Sequence, residues 1–304
     1  MAKNRDLLSI GHSALDYIIR VPEFPKANFS APINDMKTFN GGAAANVALV
    51  GANLGLKTSL VSAVGGDFKK SNYYEIMESL DVDTDSLIIV PGETIPTAFV
   101  LTDENDDQIS YFYWGAAKEF ASSKVPKNAI SNVQAVHLAT GDPHFNWKCS
   151  EEAKRQELLV SFDPGQDLGM YDTDKLRDVI TNTTILFGNH YEIERILESL
   201  EVDLDGLREI GPKIIVKTCG ANGSEIYSNN DKIKVDAIVR EAVDPTGAGD
   251  SYRAGFLSRF LNGESLEQSA KFASSVSSFI VEEQGCQTNM PTFDDAFDRM
   301  SEFY

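Results

Sequence analysis

Short apolar runs alternate with amphipathic stretches along most of the chain. The runs at residues 7–11, 59–64, 135–138, 158–162, 184–187 and 214–217 have the length of buried strands. Apolar residues recur at helical spacing in stretches such as 71–80, 176–180, 193–200 and 266–282. Strands that alternate with helices form a mostly parallel sheet with helices on both faces. The pattern therefore predicts an α/β fold.

A second group of β-rich segments does not join this alternation. Residues 94–101 and 108–114 flank an acidic turn at 103–107, which indicates a hairpin. Residues 17–21 are predicted to be a further strand, and 22–38 to be irregular. We expect about 13–39 and 94–115 to form a small separate sheet. Phe112 alternates with Tyr113 on the hairpin, so its ring either covers a ligand or packs within the sheet.

Composition excludes several classes of protein. The chain has 304 residues and a formal net charge of −19, with 42% hydrophobic residues. This charge argues against nucleic acid or an anionic membrane as the main partner. It favours solubility and is also expected of a protein from a salty cytoplasm; both causes stay open. No apolar stretch has the length of a membrane helix or a signal peptide, so a cytoplasmic protein is predicted.

The cysteines and histidines do not form a metal site in the sequence. Three cysteines and four histidines are scattered, without zinc-ligand spacing or a disulfide framework. No linker, repeat or low-complexity segment divides the chain. We therefore expect a single domain, 1–304, that includes the small sheet.

The most informative stretch is D-P-T-G-A-G-D at 244–250, which runs into a predicted helix. A helix start exposes N–H groups that have no partner within the helix, and its dipole favours an anion. Gly247 and Gly249 allow a phosphate to approach the backbone closely. Asp250 falls in the first helical turn, where a carboxylate either serves chemistry or simply caps the helix.

Candidate hydroxyl-binding residues lie near the N-terminus. Asp16 comes at the break between two predicted strands, where it either binds hydroxyl groups or bonds its own backbone in a turn. Gly41 and Gly42 open an alanine-rich helix that contains Asn46. Small side chains let a ligand lie against this helix, although a tightly packed core helix has the same composition.

Polar residues also follow several of the predicted strands. Asp163, Asn189 and Thr218 come directly after strands, and ligands bind beyond the carboxyl ends of parallel strands. Glu192 stands three residues after Asn189. This spacing suits a capping box and also suits a carboxylate that holds hydrated Mg²⁺, and both roles can coexist.

A glycine turn follows Thr218. The spacing T-x-G-x-x-G, with Gly220 and Gly223, could cradle nucleotide phosphates, but glycine turns between strands are routine. This motif is weak when it is taken alone.

Two of these motifs resemble the signatures of the ribokinase-like (phosphofructokinase-B, carbohydrate kinase) family. They are G-G-x-x-x-N at 41–46 and D-P-T-G-A-G-D. Further motifs, at 11–18, 114–118, 139–143, 161–168 and 282–289, look like those of the archaeal-type nucleoside kinases of that family. The resemblance spans nearly the whole chain. One departure is His190, which stands where the family pattern has a lysine, so a phosphate contact by that side chain is in doubt.

The resemblance implies a three-layer α/β/α fold in which the small sheet is a lid over the acceptor. It implies ATP as donor, Mg²⁺, a nucleoside 5′-hydroxyl as acceptor and a homodimer joined through the lids, and it leaves a monovalent cation open. Asp250 would take the hydroxyl proton while the N–H groups of Gly247, Ala248 and Gly249 hold the γ-phosphoryl group. The implied substrate-binding residues are Asp16, Gly41, Gly42, Asn46, Phe112 and Asp163. The implied ATP-binding residues are Gln108, Asn189, Lys217, Thr218, Gly220 and Gly223, with Glu192 at the metal.

Three alternatives stay open. A ribokinase-type sugar kinase would use the same Asp16 and Asn46. A 6-phosphofructokinase needs cations around the acceptor phosphate, and residues 71–117 contain no lysine or arginine. A non-catalytic nucleoside-binding regulator would usually have lost Asp250 or the glycines before it.

Overall fold

The computed structural model describes residues 4–105, 107–228 and 231–304. The strands are β1 (Arg5–Ile10), β2 (Ala14–Arg20), β3 (Asp35–Gly41), β4 (Thr58–Val61), β5 (Ala63–Gly65), β6 (Ile88–Val90), β7 (Thr97–Thr102), β8 (Gln108–Tyr113), β9 (Val133–Leu138), β10 (Leu159–Phe162), β11 (Ile185–Asn189), β12 (Ile214–Thr218), β13 (Ser224–Ser228) and β14 (Asp231–Val235). The α-helices are α1 (Ala43–Asn53), α2 (Asn72–Ser79), α3 (Lys127–Ser131), α4 (Pro143–Arg155), α5 (Thr173–Asn182), α6 (His190–Leu200), α7 (Leu204–Ile210), α8 (Ala248–Phe260), α9 (Leu266–Ile280) and α10 (Phe293–Phe303).

The largest sheet has eight strands in the order β14-β13-β12-β11-β10-β9-β1-β4. Strands β12 to β4 in this order run parallel, and β13 and β14 are antiparallel at one edge. The carboxyl ends of parallel strands share one edge of the sheet. Asp163, Asn189 and Thr218 therefore come to the same edge, as the sequence predicted.

Helices cover both faces of this sheet. On β1, Leu7 belongs to a core with residues of α1, α8 and α9, whereas Leu8 belongs to a core with residues of α4, α5 and α6. Successive strand residues point to opposite faces. The two cores therefore confirm the predicted three-layer α/β/α arrangement.

The small sheet is a separate four-stranded unit with the order β3-β2-β7-β8. Asp16 pairs with Phe39 on β3 and with Ala98 on β7, and Ala98 pairs with Phe112 on β8. Residues paired across strands share a face of the sheet. We call the face that carries Asp16 and Phe112 the inner lid face, and the opposite face the outer lid face.

The structure confirms most predicted elements and corrects several. Asp16 is not at a strand break, because β2 starts at Ala14 and Asp16 lies within it. The segment predicted to be irregular contains β3, whose pairing with β2 supplies a hydrogen-bonding partner that local sequence does not reveal. The predicted strand 59–64 divides into β4 and β5, which join different sheets. The hairpin turn was found as expected, although Asp106 lies outside the described residues.

The helices in the described ranges are all too short or too polar to cross a lipid bilayer.

Candidate active site

The start of α8 presents backbone amides without side-chain caps. Gly247 is the N-cap residue, with φ of 77°, and it has no side chain to bond the first turn. Within the described residues, the N–H groups of Gly247 and Gly249 have no acceptor. The Ala248 N–H donates to Pro245 O at 3.1 Å, so this amide is less available than predicted. The remaining amides and the helix dipole suit an anion.

Asp244 holds the loop before α8 in place. Its Oδ1 accepts from the Thr246 N–H at 2.9 Å, and its Oδ2 accepts from the Gly285 N–H at 3.0 Å. A Cβ on Gly247 would collide with Cys286, so the loop fits closely against the segment that follows α9. The first aspartate of the motif therefore shapes the loop.

Asp250 lies in the first turn of α8, as predicted, and accepts a hydrogen bond from Asn46. The Asn46 Nδ2 donates to Asp250 Oδ2 at 2.7 Å, which joins two motifs 204 positions apart. Burial raises the pKa of Asp250 from 3.8 to about 6, against the opposing effects of the Asn46 hydrogen bond and Arg253. A carboxylate with this pKa is ionised at neutral pH and is basic enough to accept a proton.

Asp16 approaches the same cluster from the inner lid face. Its carboxylate lies so close to Gly41 that a Cβ there would overlap Asp16 Oδ2. Burial, then Asp250 and then Asp244 raise the pKa of Asp16 to about 7. Gly42, with φ of 93°, packs against the backbone of residues 12–14 with no room for a side chain. The structure thus brings together Asp16, Gly41, Gly42, Asn46 and Asp250.

Gln287 and Tyr73 join this cluster, and sequence reasoning assigned neither of them. Gln287 Nε2 donates to Asn46 Oδ1 and to the Tyr73 hydroxyl, both at 2.8 Å. The Tyr73 hydroxyl in turn donates to Gly41 O at 2.7 Å. The motif at 282–289 contained the only signal for Gln287, and no signal marked Tyr73.

Arg253 forms a buried ion pair with Asp163. Arg253 Nε lies 2.6 Å from Asp163 Oδ2, and both side chains are almost fully buried. Asp163 Oδ1 also accepts from the Gly165 N–H at 3.2 Å. Asp163, predicted to bind substrate, is therefore already neutralised by a protein group. Sequence reasoning missed Arg253, although it stands one helical turn after Asp250 on α8.

Asn189 and Glu192 form the capping box at the start of α6. The Glu192 N–H donates to Asn189 Oδ1 at 2.9 Å, and the Asn189 N–H donates to Glu192 Oε2 at 2.7 Å. Burial, followed by the charge of Asp163, raises the pKa of Glu192. The charges of Asp163, Glu192 and Asp250 influence one another, and the guanidinium of Arg253 lies close enough to interact with all three. Three carboxyl groups thus share this cation. This excess of negative charge suits a cation.

The turn after β12 has an open glycine and a packed one. A Cβ on Gly220 would meet nothing within 4 Å, whereas one on Gly223 would collide with Val235 O. Gly220 leaves room for a ligand, and Gly223 is required for packing. Lys217 Nζ lies 2.6 Å from Glu225 Oε2 on the neighbouring strand β13, so the lysine charge is paired within the sheet. Thr218 ends β12 beside this turn.

Two predicted residues lie on the lid. The ring of Phe112 lies 5.3 Å from the ring of His12, in the motif at 11–18, and 5.3 Å from the ring of Trp114. Gln108 pairs with Thr102 on β7, and Thr102 pairs with Arg20 on β2. Arg20 is four residues further along β2 than Asp16. The structure does not bring Gln108 to the cluster around Asp250.

A parallel α/β sheet, a β lid and a carboxylate beside free helix amides define a kinase of the ribokinase fold. Residues 4–293 match the pfkB family of carbohydrate kinases, and the chain belongs to this family.

Similar proteins include nucleoside kinases. The chain is 56% identical over 301 residues to a nucleoside kinase of Methanothermobacter thermautotrophicus, covering 99% of this chain and 97% of that protein. The crystal structure of the Methanocaldococcus jannaschii nucleoside kinase, an archaeal member of the ribokinase family, has a TM-score of 0.94 and 41% identity, covering 99% of this chain and 100% of that one. A Burkholderia thailandensis nucleoside kinase in complex with inosine has a TM-score of 0.87 over 98% of each chain, and its 23% identity supports the fold alone.

Proposed function

We propose that this protein is an ATP-dependent nucleoside kinase that transfers the γ-phosphoryl group of ATP to the 5′-hydroxyl of a nucleoside. The observation that carries the proposal is the position of the Asp250 carboxylate. It lies in the first turn of α8 and accepts a hydrogen bond of 2.7 Å from Asn46 Nδ2. Two relatives that bear the name nucleoside kinase cover nearly the whole chain, which supports the nucleoside acceptor.

Asp250 is the general base in this proposal. It accepts the proton of the 5′-hydroxyl as that oxygen forms a bond to the γ-phosphorus. The bond between the γ-phosphorus and the bridging oxygen breaks, and ADP leaves with that electron pair. The N–H groups of Gly247 and Gly249 stabilise the charge on the phosphoryl oxygens. The pKa of about 6 keeps Asp250 ionised at neutral pH.

The acceptor is held between the lid and α1. Asp16 and Asn46 provide the polar groups for the ribose hydroxyls. Gly41 and Gly42 let the chain pass close to the Asp16 carboxylate and to the backbone of residues 12–14, which holds these polar groups in place. Phe112, on the same lid face as Asp16, supplies an apolar ring to the base. A sugar kinase of the ribokinase type remains the second candidate, because the same contacts would hold a free pentose.

The donor end of the site suits Mg²⁺. Glu192 carries the carboxylate at the acidic edge, and Mg²⁺ usually retains several waters beside one or two carboxylates. The described residues contain no group of three acidic, histidine or cysteine side chains that could form a full cage, so the triphosphate and water would complete the coordination. When bound, the ion neutralises the β- and γ-phosphate oxygens. In this proposal Asn189, Thr218 and Gly220 contact the nucleotide.

An acceptor screen tests the proposal. Purified protein is incubated with ATP, Mg²⁺ and, separately, inosine, guanosine, cytidine, adenosine, ribose or fructose 6-phosphate, and ADP formation is measured. We expect kcat/KM to be highest for a nucleoside and the product to be a 5′-monophosphate. Preference for ribose would favour the sugar kinase, and the absence of ADP with every acceptor would favour a non-catalytic regulator. A location in the cytoplasm stays a prediction.

We also propose a homodimer that is joined through the outer lid faces. Tyr17, Phe99 and Tyr111 share one row across this face, and the rings of Tyr17 and Phe99 stack at 5.3 Å. Tyr111 is 63% exposed and Met36 is 54% exposed, which are high values for large apolar side chains. Exposed apolar patches of this kind commonly mark protein–protein contacts. The outer lid face of a second copy would cover them.

A further inference from the structure

A chain of hydrogen bonds leads from the backbone at Gly41 to Asp250. It runs from Gly41 O through the Tyr73 hydroxyl, Gln287 Nε2 and the Asn46 amide to Asp250 Oδ2, with distances between 2.7 and 2.8 Å. Its members come from β3, α1, α2, α8 and the segment after α9. We propose that Gln287 and Tyr73 are positioning residues that orient the Asn46 amide toward the general base. This inference rests on the proposed function.

The donors and acceptors of these side chains determine the direction of each hydrogen bond in the series. The Tyr73 hydroxyl has one hydrogen, which it gives to Gly41 O, so it accepts from Gln287. The two Nε2 hydrogens of Gln287 then go to Tyr73 and to Asn46 Oδ1. Asn46 Oδ1 is thereby held as the acceptor. The opposite end of its amide, Nδ2, must face Asp250 as a donor.

The alternative orientation of Asn46 would be unfavourable. A flipped amide would direct Oδ1 at the Asp250 carboxylate and Nδ2 at the Gln287 amide, which pairs acceptor with acceptor and donor with donor. Asn46 is 3% exposed and Tyr73 is 2% exposed, so solvent cannot replace a lost partner easily. A buried polar group without its partner costs more than the hydrogen bond alone. Gln287 and the Asp250 carboxylate therefore favour the same orientation of Asn46, and loss of Gln287 leaves only Asp250 to hold it.

The orientation of Asn46 also affects the acidity of Asp250. Its Nδ2 bond stabilises the ionised carboxylate and lowers a pKa that burial raises. If Asn46 loses this orientation, the pKa of Asp250 rises. A base with a higher pKa is protonated up to a higher pH. The acid limb of the activity profile must then move to higher pH.

The test compares Gln287→Met with wild type and with Gln268→Met. Methionine has similar length and no hydrogen-bonding amide, and Gln268 is an exposed residue on α9 that serves as the matched control. We expect Gln287→Met to lower kcat about tenfold at pH 6, which corresponds to the upper end of the cost of one lost hydrogen bond between neutral groups. The loss should be smaller at pH 8, and KM for ATP should not change. Tyr73→Phe should shift the profile in the same direction by a smaller amount.

A double-mutant cycle with Asn46→Ala identifies the route of the effect. If Gln287 acts through Asn46, Gln287→Met should change kcat little once Asn46 is already alanine. Equal loss at every pH, or full additivity with Asn46→Ala, would overturn the proposal and leave Gln287 a structural residue only.

A readout without turnover separates this inference from the proposed function. The carboxyl ¹³C resonance of Asp250, assigned by its loss in Asp250→Asn, is titrated in wild type and in Gln287→Met. The positioning role requires a higher midpoint in Gln287→Met. An unchanged midpoint would refute it even if nucleosides are phosphorylated, and a raised midpoint would support it even if the acceptor proves to be another alcohol.

Discussion

At the scale of single residues, the two central aspartates differ in their surroundings rather than in their chemistry. Asp250 bonds Asn46 and feels Arg253, and its pKa is about 6. Burial and the negative charges of Asp250 and Asp244 raise the pKa of Asp16 to about 7. No cation is among these main influences. Titratable groups whose environments move their pKa values apart commonly have separate roles. We therefore propose that Asp250 transfers the proton and that Asp16 binds hydroxyl groups.

The first prediction concerns Asp250→Asn. We expect kcat to fall roughly 10²–10⁴-fold while nucleoside binding, measured by calorimetry, persists. In wild type, kcat/KM should decline as the pH falls through about 6, because the protonated carboxyl cannot accept a proton. Asp174→Asn, in the exposed first turn of α5, is the control and should behave like wild type. Near-normal turnover of Asp250→Asn would contradict the assignment.

The second prediction concerns Asp16→Asn and stability. The pKa of Asp16 is 3.8 in the unfolded reference and about 7 in the fold, so the folded state binds more protons between these values. This group therefore stabilises the fold most below about pH 4 and loses that contribution as pH rises to about 7. Asparagine removes the ionisation, and we expect a Tm higher than that of wild type by roughly 2–4 °C at pH 8.

The matching measurement is thermal unfolding at pH 4 and pH 8. The difference between Asp16→Asn and wild type should nearly vanish at pH 4, where both side chains are neutral. An equal loss of Tm at both pH values would mean that the contacts of Asp16, rather than its charge, dominate its effect on stability.

At the scale of elements, the start of α8 was predictable and its surroundings were not. Glycines before a predicted helix already indicated free N–H groups at the helix start, although α8 proved to be buried on all sides rather than on one. The Ala248 N–H donates to Pro245 O because of the conformation of the loop before α8. Asp244 holds this loop by its hydrogen bond to Gly285, 41 positions away. Likewise, β3 was missed because its strand conformation depends on pairing with β2 rather than on its own composition.

The third prediction compares Gly247→Ala with Gly263→Ala. Both glycines have positive φ, 77° and 86°, so both variants pay the same backbone cost. A Cβ at residue 247 would collide with Cys286, whereas one at residue 263 meets nothing within 4 Å. We expect Gly247→Ala to raise KM for ATP and to lower kcat at least tenfold, because the amides shift away from the phosphoryl group. Gly263→Ala should lose some stability but retain its kinetics, and equal kinetic effects in both would contradict this account.

At the scale of the whole molecule, the lid has two chemically different faces. The inner face carries Asp16 toward the active site, and the outer face carries Tyr17, Phe99 and Tyr111. The net charge of −19 makes any two copies repel each other at long range. Association through the outer face must therefore come from burial of apolar surface, and added salt should strengthen it.

The fourth prediction concerns this interface. Tyr111→Lys places a charge on the outer lid face at the edge strand β8, and we expect it to convert the proposed dimer to a monomer in sedimentation equilibrium. Val239→Lys changes another exposed apolar residue, which is 64% exposed and belongs to none of the lid strands, and it should leave the proposed dimer intact. A wild-type protein that stays monomeric across the concentration range would exclude the lid interface.

The sequence by itself determined the fold class, the family and the identity of the general base candidate. These depend on local features: strand and helix periodicity, a glycine turn, and a carboxylate in the first turn of a helix. Such features are written in neighbouring residues, so a single chain is enough to recognise them. The capping box of Asn189 and Glu192 was predictable for the same reason.

Only the tertiary structure decided which residues act together. Asn46 bonds Asp250 across 204 positions, Gln287 bonds Asn46 across 241, and Arg253 neutralises Asp163. It also showed that Gln108 lies away from the Asp250 cluster and that Asp16 lies within a strand. These facts follow from strand register and helix packing, which are set by the burial of the whole core. No local pattern encodes contacts that form only when distant segments share one interior.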